Sequence, residues 1–86
     1  MIFKTVQLAN LKPGENFRRI RSGNPSAMSY TKLFYNRANK VLGYKASYTC
    51  GRADDIGYSI ELKPTSPVIR EDDYLIYRPF EEFSES

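Results

Sequence analysis

The chain has 86 residues, which is enough for one small domain and excludes a second. Its aromatic fraction of 14%, from tyrosine and phenylalanine without tryptophan, favours a β-rich fold, and the absence of histidine removes the commonest general base and zinc ligand. The single cysteine, Cys50, excludes an internal disulfide, and the net charge of +3 is mildly basic.

The first predicted elements are a strand and a tight turn. Ile2 to Leu8 alternates between apolar and polar residues, as a half-buried strand does, although Phe3 and Lys4 break the alternation. Pro13 and Gly14 follow, and this pair suits the two central positions of a type II turn, since glycine takes positive φ without strain.

Two further strands are predicted around a loop. Glu15 to Arg21 is a short strand with arginines on both faces, and Ser22 to Ala27 is an exposed loop with glycine, asparagine and proline. Met28 to Tyr35 is a longer strand. Simple alternation puts Met28, Tyr30, Lys32 and Phe34 on one of its faces, and the sequence does not say which face is buried.

A hairpin is predicted in the second half of the chain. Asn36 to Leu42 suits either one helical turn or a hairpin loop, and its asparagines, with Gly43 after them, favour the loop. Tyr44 to Cys50 alternates most regularly and pairs with Tyr58 to Leu62. The polar segment Gly51 to Gly57 is the predicted turn between these two strands.

The prolines of Lys63 to Pro67 then interrupt the sheet, because proline donates no hydrogen bond. Val68 and Ile69 begin another short strand, and Tyr74 to Tyr77 suits a last one. These elements predict one domain over residues 1–80 and a polar, acidic tail over 81–86. The fold class is mainly β, a small five- to six-stranded antiparallel barrel, partly open and SH3-like or OB-like.

The N-terminal residues lack the unbroken apolar run of a signal peptide, and no stretch has the length of a membrane span. With the single cysteine, this predicts a cytoplasmic protein without a membrane partner.

No enzymatic motif is present, so the protein is not predicted to be an enzyme and no cofactor or metal is expected. The adjacent pairs Asp54-Asp55 and Asp72-Asp73 point their side chains apart in an extended chain, so each is interpreted as a turn rather than a carboxylate dyad. Cys50 alternates with tyrosines, which favours a buried and unreactive thiol. The five glycines match neither nucleotide-binding fingerprint.

The charges are segregated along the chain. Residues 1–52 carry ten basic residues and one acid, a net charge of +9, whereas residues 53–86 carry three basic residues and nine acids, a net charge of −6. The two halves either neutralise each other at the surface or leave a basic face for an anionic ligand. Arginine forks match phosphate oxygens, and tyrosine rings either stack on bases or pack in the core. The candidate ligand-binding residues are Arg18, Arg19, Arg21, Tyr30, Lys32, Tyr35, Arg37, Lys45, Tyr48 and Arg52.

Several segments resemble the small β-barrel accessory proteins of tailed bacteriophages and prophages. The resemblance lies in Thr5–Leu8, in the turn Asn10–Arg18 (NLKPGENFR), in Tyr30–Leu33 and in Leu62–Val68. It implies a phage origin, with the cytoplasm of the bacterial host as the location, and the barrel fold. Some small phage proteins counter host immunity by sequestering cyclic nucleotide signals, and an anti-defence role of that kind suits a basic, tyrosine-rich domain.

The leading hypothesis is therefore that the protein is a phage-encoded, non-enzymatic, oligomeric binding protein that sequesters a phosphate-bearing ligand. The most specific version of this hypothesis is that the ligand is a cyclic nucleotide immune signal. One alternative is a single-stranded nucleic-acid-binding protein, whose affinity falls steeply with salt. Another is an inhibitor that binds a host protein through a sheet edge or through the tail of residues 81–86.

Overall fold

The sheet of this protein contains seven antiparallel strands within residues 4–52 and 54–76, the part of the chain that the structure, a computed structural model, describes. The strands are β1 (Val6–Gln7), β2 (Asn16–Arg21), β3 (Asn24–Pro25), β4 (Tyr30–Asn36), β5 (Ser47–Arg52), β6 (Asp55–Leu62) and β7 (Pro67–Arg70). Their order across the sheet is β1-β7-β2-β4-β5-β6, and β3 pairs with β2. The prediction of a mainly β, antiparallel fold is confirmed.

The described sheet is not closed into a barrel and has seven strands where five or six were predicted, so those parts of the prediction are wrong. Within the described residues, the outer strands β1 and β6 do not pair with each other. β4 has different partners along its length. Its first two residues pair with β2, whereas its ladder with β5 continues to Asn36. The β4–β5 hairpin, with β6 beside it, therefore extends beyond β1, β2 and β7, and the molecule measures 53 × 26 × 21 Å.

Two turns have the conformations that their residues favour. Gly14 has a φ of +86°, and the amide of Glu15 donates to the carbonyl of Lys12 at 3.0 Å, as in the predicted type II turn. Ser22 and Gly23 both have positive φ, 52° and 79°, and connect β2 to β3 by a two-residue hairpin.

A β-bulge in β4 decides which of its side chains face the core. Lys32 pairs with Cys50 but Phe34 pairs with Thr49, so Leu33 is an extra residue on β4. As a result Lys32 and Tyr35 lie on one face and Phe34 lies on the other. The predicted grouping of Phe34 with Lys32 is wrong, because simple alternation ends at the bulge.

The core lies on the face of the sheet that contains Phe17 and Cys50. Its buried members are Leu8, Leu11, Phe17, Tyr30, Cys50, Leu62 and Val68. Leu8 and Leu11 come from a 3₁₀ helix, Leu8–Asn10, and the residue after it. This helix replaces the end of the predicted first strand, of which only Val6–Gln7 is a strand; residues 1–3 lie outside the described part.

Residues 71–76 are helical, so the strand predicted from Tyr74 onward is wrong. Glu71, Asp72 and Asp73 occupy the first turn of this helix, where carboxylates interact favourably with the helix dipole. The predicted tail and the end of the predicted domain, together residues 77–86, lie outside the described residues.

Candidate functional site

A groove lies where the end of β4, the start of β5 and the end of β6 meet. Its volume is about 670 Å³. It is lined by Asn36, Arg37, Gly43, Tyr44, Lys45, Ala46, Ser47, Glu61, Leu62, Lys63, Pro64 and Thr65. We call these twelve residues the basic groove.

The pairing of the strands brings these segments together. Asn36 lies opposite Ser47 in the β4–β5 ladder, and Tyr48 lies opposite Leu62 in the β5–β6 ladder. The residues that follow β4, precede β5 and follow β6 are therefore neighbours at one end of the sheet. This places Arg37, Lys45 and Lys63, which are distant in sequence, around one concavity.

The loop between β4 and β5 is a tight hairpin loop, as its asparagines predicted. Asn39 and Tyr44 exchange two backbone hydrogen bonds of 2.8 and 2.9 Å, and the Asn39 side chain accepts one from the amide of Leu42 at 3.1 Å. Gly43 has a φ of +79°, which an L side chain rarely adopts. These bonds fix the rim of the basic groove that carries Tyr44.

The basic groove has three cations and one carboxylate. Arg37, Lys45 and Lys63 are exposed, and within the described residues none of them forms an ion pair or a side-chain hydrogen bond. Glu61 is the single acid in the lining. The groove is thus net positive, and its cations remain available to an anion.

Polar groups and one ring complete the lining. Asn36 donates its amide hydrogens to the hydroxyl oxygens of Thr49 and Ser47, at 2.8 and 3.3 Å. The Ser47 hydroxyl accepts in this bond, so its own proton is left to donate elsewhere. Tyr44 is 65% exposed, so one face of its ring is open to a flat ligand.

Arg18, the first of the predicted arginines, has a structural position instead. Its guanidinium forms a two-pronged ion pair with Glu71, at 3.1 Å from Nε and 3.0 Å from Nη2, and donates to the carbonyls of Ser26 and Ala27 at 3.2 and 2.7 Å. It also lies 4.0 Å from the centre of the Tyr74 ring. Arg18 therefore ties β2 to the helix at 71–76 and has little capacity left for a ligand.

Lys32 is buried, with 3% of its surface exposed. Its ammonium donates to the carbonyl of Leu11 and, at 3.4 Å, to that of Ala9, and it lies 4.1 Å from the centre of the Tyr48 ring. Burial lowers the pKa of Lys32, since desolvation penalises the charged form. Lys32 thus closes the core and does not reach a surface ligand.

Three more of the predicted arginines, Arg19, Arg21 and Arg52, lie outside the groove. Arg52 forms an ion pair with Asp54 at 2.7 Å, which raises the pKa of Arg52 and lowers that of Asp54. It lies five residues from Ser47 along β5, a separation of about 17 Å. Arg19 lies 6.0 Å from the centre of the Tyr30 ring, and Arg21 is exposed beside the two-residue turn of β2 and β3.

The predicted tyrosines divide between core and surface. Tyr30 is buried and stacks on Phe17 with ring centres 5.9 Å apart. Tyr48 is half-buried between the Lys32 ammonium and the Tyr35 ring, whose centre is 5.1 Å away. Tyr35 is 55% exposed but does not line the groove.

Of the ten predicted ligand-binding residues, Arg37 and Lys45 line the basic groove. Sequence reasoning did not include Lys63 and Tyr44 in the site. The observed ladder pairs Tyr48 with Leu62, so Lys63 comes opposite Ser47; the sequence predicted the hairpin but not this register. Tyr44 is the first residue of the predicted strand Tyr44 to Cys50, whereas in the structure it precedes β5 and lies on the loop.

Cys50 matches the predicted buried thiol. It is fully buried, and burial raises its pKa to about 11. A protonated thiol is a weak nucleophile. Within residues 4–52 and 54–76, no cluster of three or more cysteine, aspartate and glutamate residues has the geometry to hold a metal ion.

Comparison of this chain with protein-family models, with curated proteins and with solved structures found no match. In the described part of the chain, no helix has both the length and the apolar character needed to cross a bilayer.

Proposed function

We propose that the protein is a non-enzymatic binding protein that holds a phosphate-bearing ligand, a nucleotide, in the basic groove. The observation that carries this proposal is the set of three exposed cations, Arg37, Lys45 and Lys63, which line one concavity without ion-pair partners among the described residues. Such cations neutralise phosphate oxygens, and arginine contacts two oxygens at once.

Three other features support a nucleotide over inorganic phosphate. The open face of Tyr44 suits stacking on a base. Glu61 accepts hydrogen bonds only, which suits a sugar hydroxyl or the donor edge of a base, and it opposes a ligand that is anionic throughout. The volume of about 670 Å³ is within the range of small-molecule sites.

A cyclic nucleotide signal is the form of this ligand that the phage resemblance implies. Sequestration needs binding without turnover. A groove with free cations and a buried, protonated Cys50 is consistent with binding alone. We propose an anti-defence role of this kind on that basis.

Calorimetry with a panel of cyclic and linear nucleotides tests the proposal. We expect one of them to bind the wild type, and Arg37→Ala and Lys45→Ala each to weaken it about tenfold or more, the equivalent of one charge-assisted hydrogen bond. The control is Lys40→Ala, an exposed lysine on the same hairpin that does not line the groove. Absence of heat with every nucleotide at tens of micromolar protein contradicts the proposal.

The role of the ring is tested separately at Tyr44. Tyr44→Ala removes the stacking surface and weakens binding, whereas Tyr44→Phe keeps it and binds as the wild type does. Equal losses in the two variants assign the effect to the hydroxyl group instead. The matched control is Tyr35→Ala, an exposed ring outside the groove.

A second candidate is single-stranded nucleic acid. The observation that favours it is that exposed rings lie beyond the groove on both faces of the β4–β5 hairpin, Phe34 on one face and Tyr35 on the other. For a strand, affinity rises with oligonucleotide length and falls steeply with salt. For a single nucleotide in the groove, affinity does not depend on added length. A fluorescence titration with labelled oligonucleotides of increasing length distinguishes the two.

A further inference from the structure

Two adjacent apolar side chains protrude from the loop between β4 and β5. Val41 is 93% exposed and Leu42 is 65% exposed. Both lie in the turn beyond Asn36 and Ser47, the last ladder pair of the two strands. One exposed apolar residue is ordinary on a protein surface, but two neighbours on one loop form a continuous apolar surface whose burial gains free energy. We call Val41 and Leu42 the apolar tip.

The backbone of the loop holds the apolar tip in place. Asn39 and Tyr44 exchange two backbone hydrogen bonds, and the Asn39 side chain accepts a third from the amide of Leu42. These bonds are made within the loop itself, so they persist when the side chains of the tip become buried. Insertion of the tip therefore requires no ordering of the backbone, which otherwise opposes binding.

The charges around the apolar tip are all positive. Residues 37–46, which join β4 to β5, contain Arg37, Lys40 and Lys45 and no acid. Lys40 directly precedes Val41, is exposed and forms no ion pair within the described residues. A lysine beside an apolar group buries its methylene chain and keeps the ammonium at the polar boundary. An apolar tip with basic neighbours is complementary to an anionic bilayer, in which phosphate head groups cover hydrocarbon.

We propose that this loop binds the surface of an anionic lipid bilayer, with the apolar tip inserted between the head groups and Lys40 beside a lipid phosphate. The shape of the loop favours a bilayer over a protein partner. A specific protein interface covers about 800 Å² on each partner, which two protruding side chains do not supply. A bilayer is fluid and closes around a protruding group, so it needs no preformed pocket.

This contact requires no membrane-spanning segment. The sequence-based expectation of no membrane partner depended on the absence of such a segment, and it does not extend to a loop that enters only the head-group region. The contact is also separate from the basic groove, because Lys40, Val41 and Leu42 do not line that groove. The inference therefore does not rest on nucleotide binding.

Co-sedimentation with lipid vesicles tests the proposal. We expect the wild type to bind vesicles of phosphatidylglycerol and phosphatidylcholine in equal parts, and to bind phosphatidylcholine alone about tenfold more weakly or less. Added salt weakens the binding to the anionic vesicles. The double variant Val41→Ser with Leu42→Ser binds those vesicles about tenfold more weakly or less, because little apolar surface remains to be buried.

The matched control for the tip is Ile56→Ser. Ile56 is exposed at 103% of the reference area and follows Asp55, which pairs with Arg52 at the end of β5 that is far from the loop. We expect this variant to bind the anionic vesicles as the wild type does. A wild type that does not bind them, a tip variant that binds equally well, or an equal loss in Ile56→Ser overturns the proposal.

Lys40→Ala tests the charge beside the tip. We expect about fivefold weaker binding to the anionic vesicles, the equivalent of one lysine near an anionic surface. The same variant is the neutral control for nucleotide binding, so it separates the two contacts. Binding to the anionic vesicles at the wild-type level contradicts the position of Lys40 beside a lipid phosphate.

Fluorescence tests whether the tip itself enters the bilayer. The chain contains no tryptophan, so Leu42→Trp introduces a single reporter at the tip and Ile56→Trp introduces one far from it. Indole emission moves to shorter wavelength in an apolar environment. We expect this shift for Leu42→Trp with the anionic vesicles and no shift for Ile56→Trp. A shift in both variants, or in neither, overturns the proposal.

Discussion

The two ends of β4 both carry aromatic residues, which are buried at one end and exposed at the other. At its first end, Tyr30 and Lys32 are buried against Phe17 and the 3₁₀ helix. At its far end, Phe34 and Tyr35 are 68% and 55% exposed. The first end has β2 and the 3₁₀ helix beside it, whereas the second end lies beyond β2 and pairs with β5 alone.

This comparison explains why the basic and aromatic residues between Arg18 and Arg52 do not all contribute to one binding surface. A cation that lies over the core, as Lys32 does, is used to satisfy backbone carbonyls. A cation on the extended hairpin, as Lys45 is, finds no partner there and remains available. Position relative to the core therefore separates structural cations from candidate ligand-binding cations, and the following four measurements test this separation.

The largest effect is expected for the phenylalanines. Phe17→Ala leaves a cavity in the core and lowers the free energy of unfolding by about 3–5 kcal/mol. Phe34→Ala removes an exposed ring, and we expect a change within about 0.5 kcal/mol. Denaturant unfolding measures both. Similar losses in the two variants contradict the division of the sheet into a packed and an extended part.

The lysines give the next effect. Lys32→Met keeps the length of the side chain but deprives the carbonyls of Leu11 and Ala9 of their donor, and we expect a loss of about 1–3 kcal/mol in the free energy of unfolding. Lys45→Met leaves that free energy within about 0.5 kcal/mol. If Lys45→Met destabilises the fold as much as Lys32→Met does, the cations of the groove are structural.

The arginines are expected to differ by less. Arg18→Ala removes the two-pronged pair with Glu71, whose side chains are 16% and 22% exposed, and we expect a loss of about 1–2 kcal/mol. Arg37→Ala is neutral for stability and weakens nucleotide binding. A double-mutant cycle of Arg18 and Glu71 isolates the pair, and zero coupling energy contradicts this assignment.

The fourth prediction concerns the pH dependence of stability that Cys50 contributes. Its pKa in the folded protein, about 11, is above the ordinary value of 9.0, so the folded state retains the proton that the unfolded state loses. Its contribution to stability is therefore complete below pH 9 and is lost as the pH rises towards 11. Lys32 acts in the opposite direction, because its lowered pKa makes stability rise with pH towards 10.5.

The variant Cys50→Ala separates these two contributions. Unfolding of the wild type and of Cys50→Ala is compared below pH 9 and near pH 11. We expect the stability difference between them to shrink at the higher pH, since only the wild type has the thiol. A difference that is independent of pH contradicts the raised pKa.

The sequence by itself determined the local structure of this protein. Pro13-Gly14, the asparagines before Gly43, and the alternation along β5 predicted a turn, a hairpin loop and a strand that the structure contains. They succeed because each depends on the preferences of a few neighbouring residues: positive φ at glycine, side-chain capping by asparagine, and the two-residue period of a strand.

Only the tertiary structure decided which side chains are available to a ligand. The bulge at Leu33 turns Lys32 and Tyr35 to one face, and Leu11, distant in sequence, provides the carbonyl that Lys32 binds. The basic groove likewise depends on two strand ladders that bring Arg37 and Lys63 together. Such contacts are set by pairing register and packing between distant segments, so composition and alternation do not determine them.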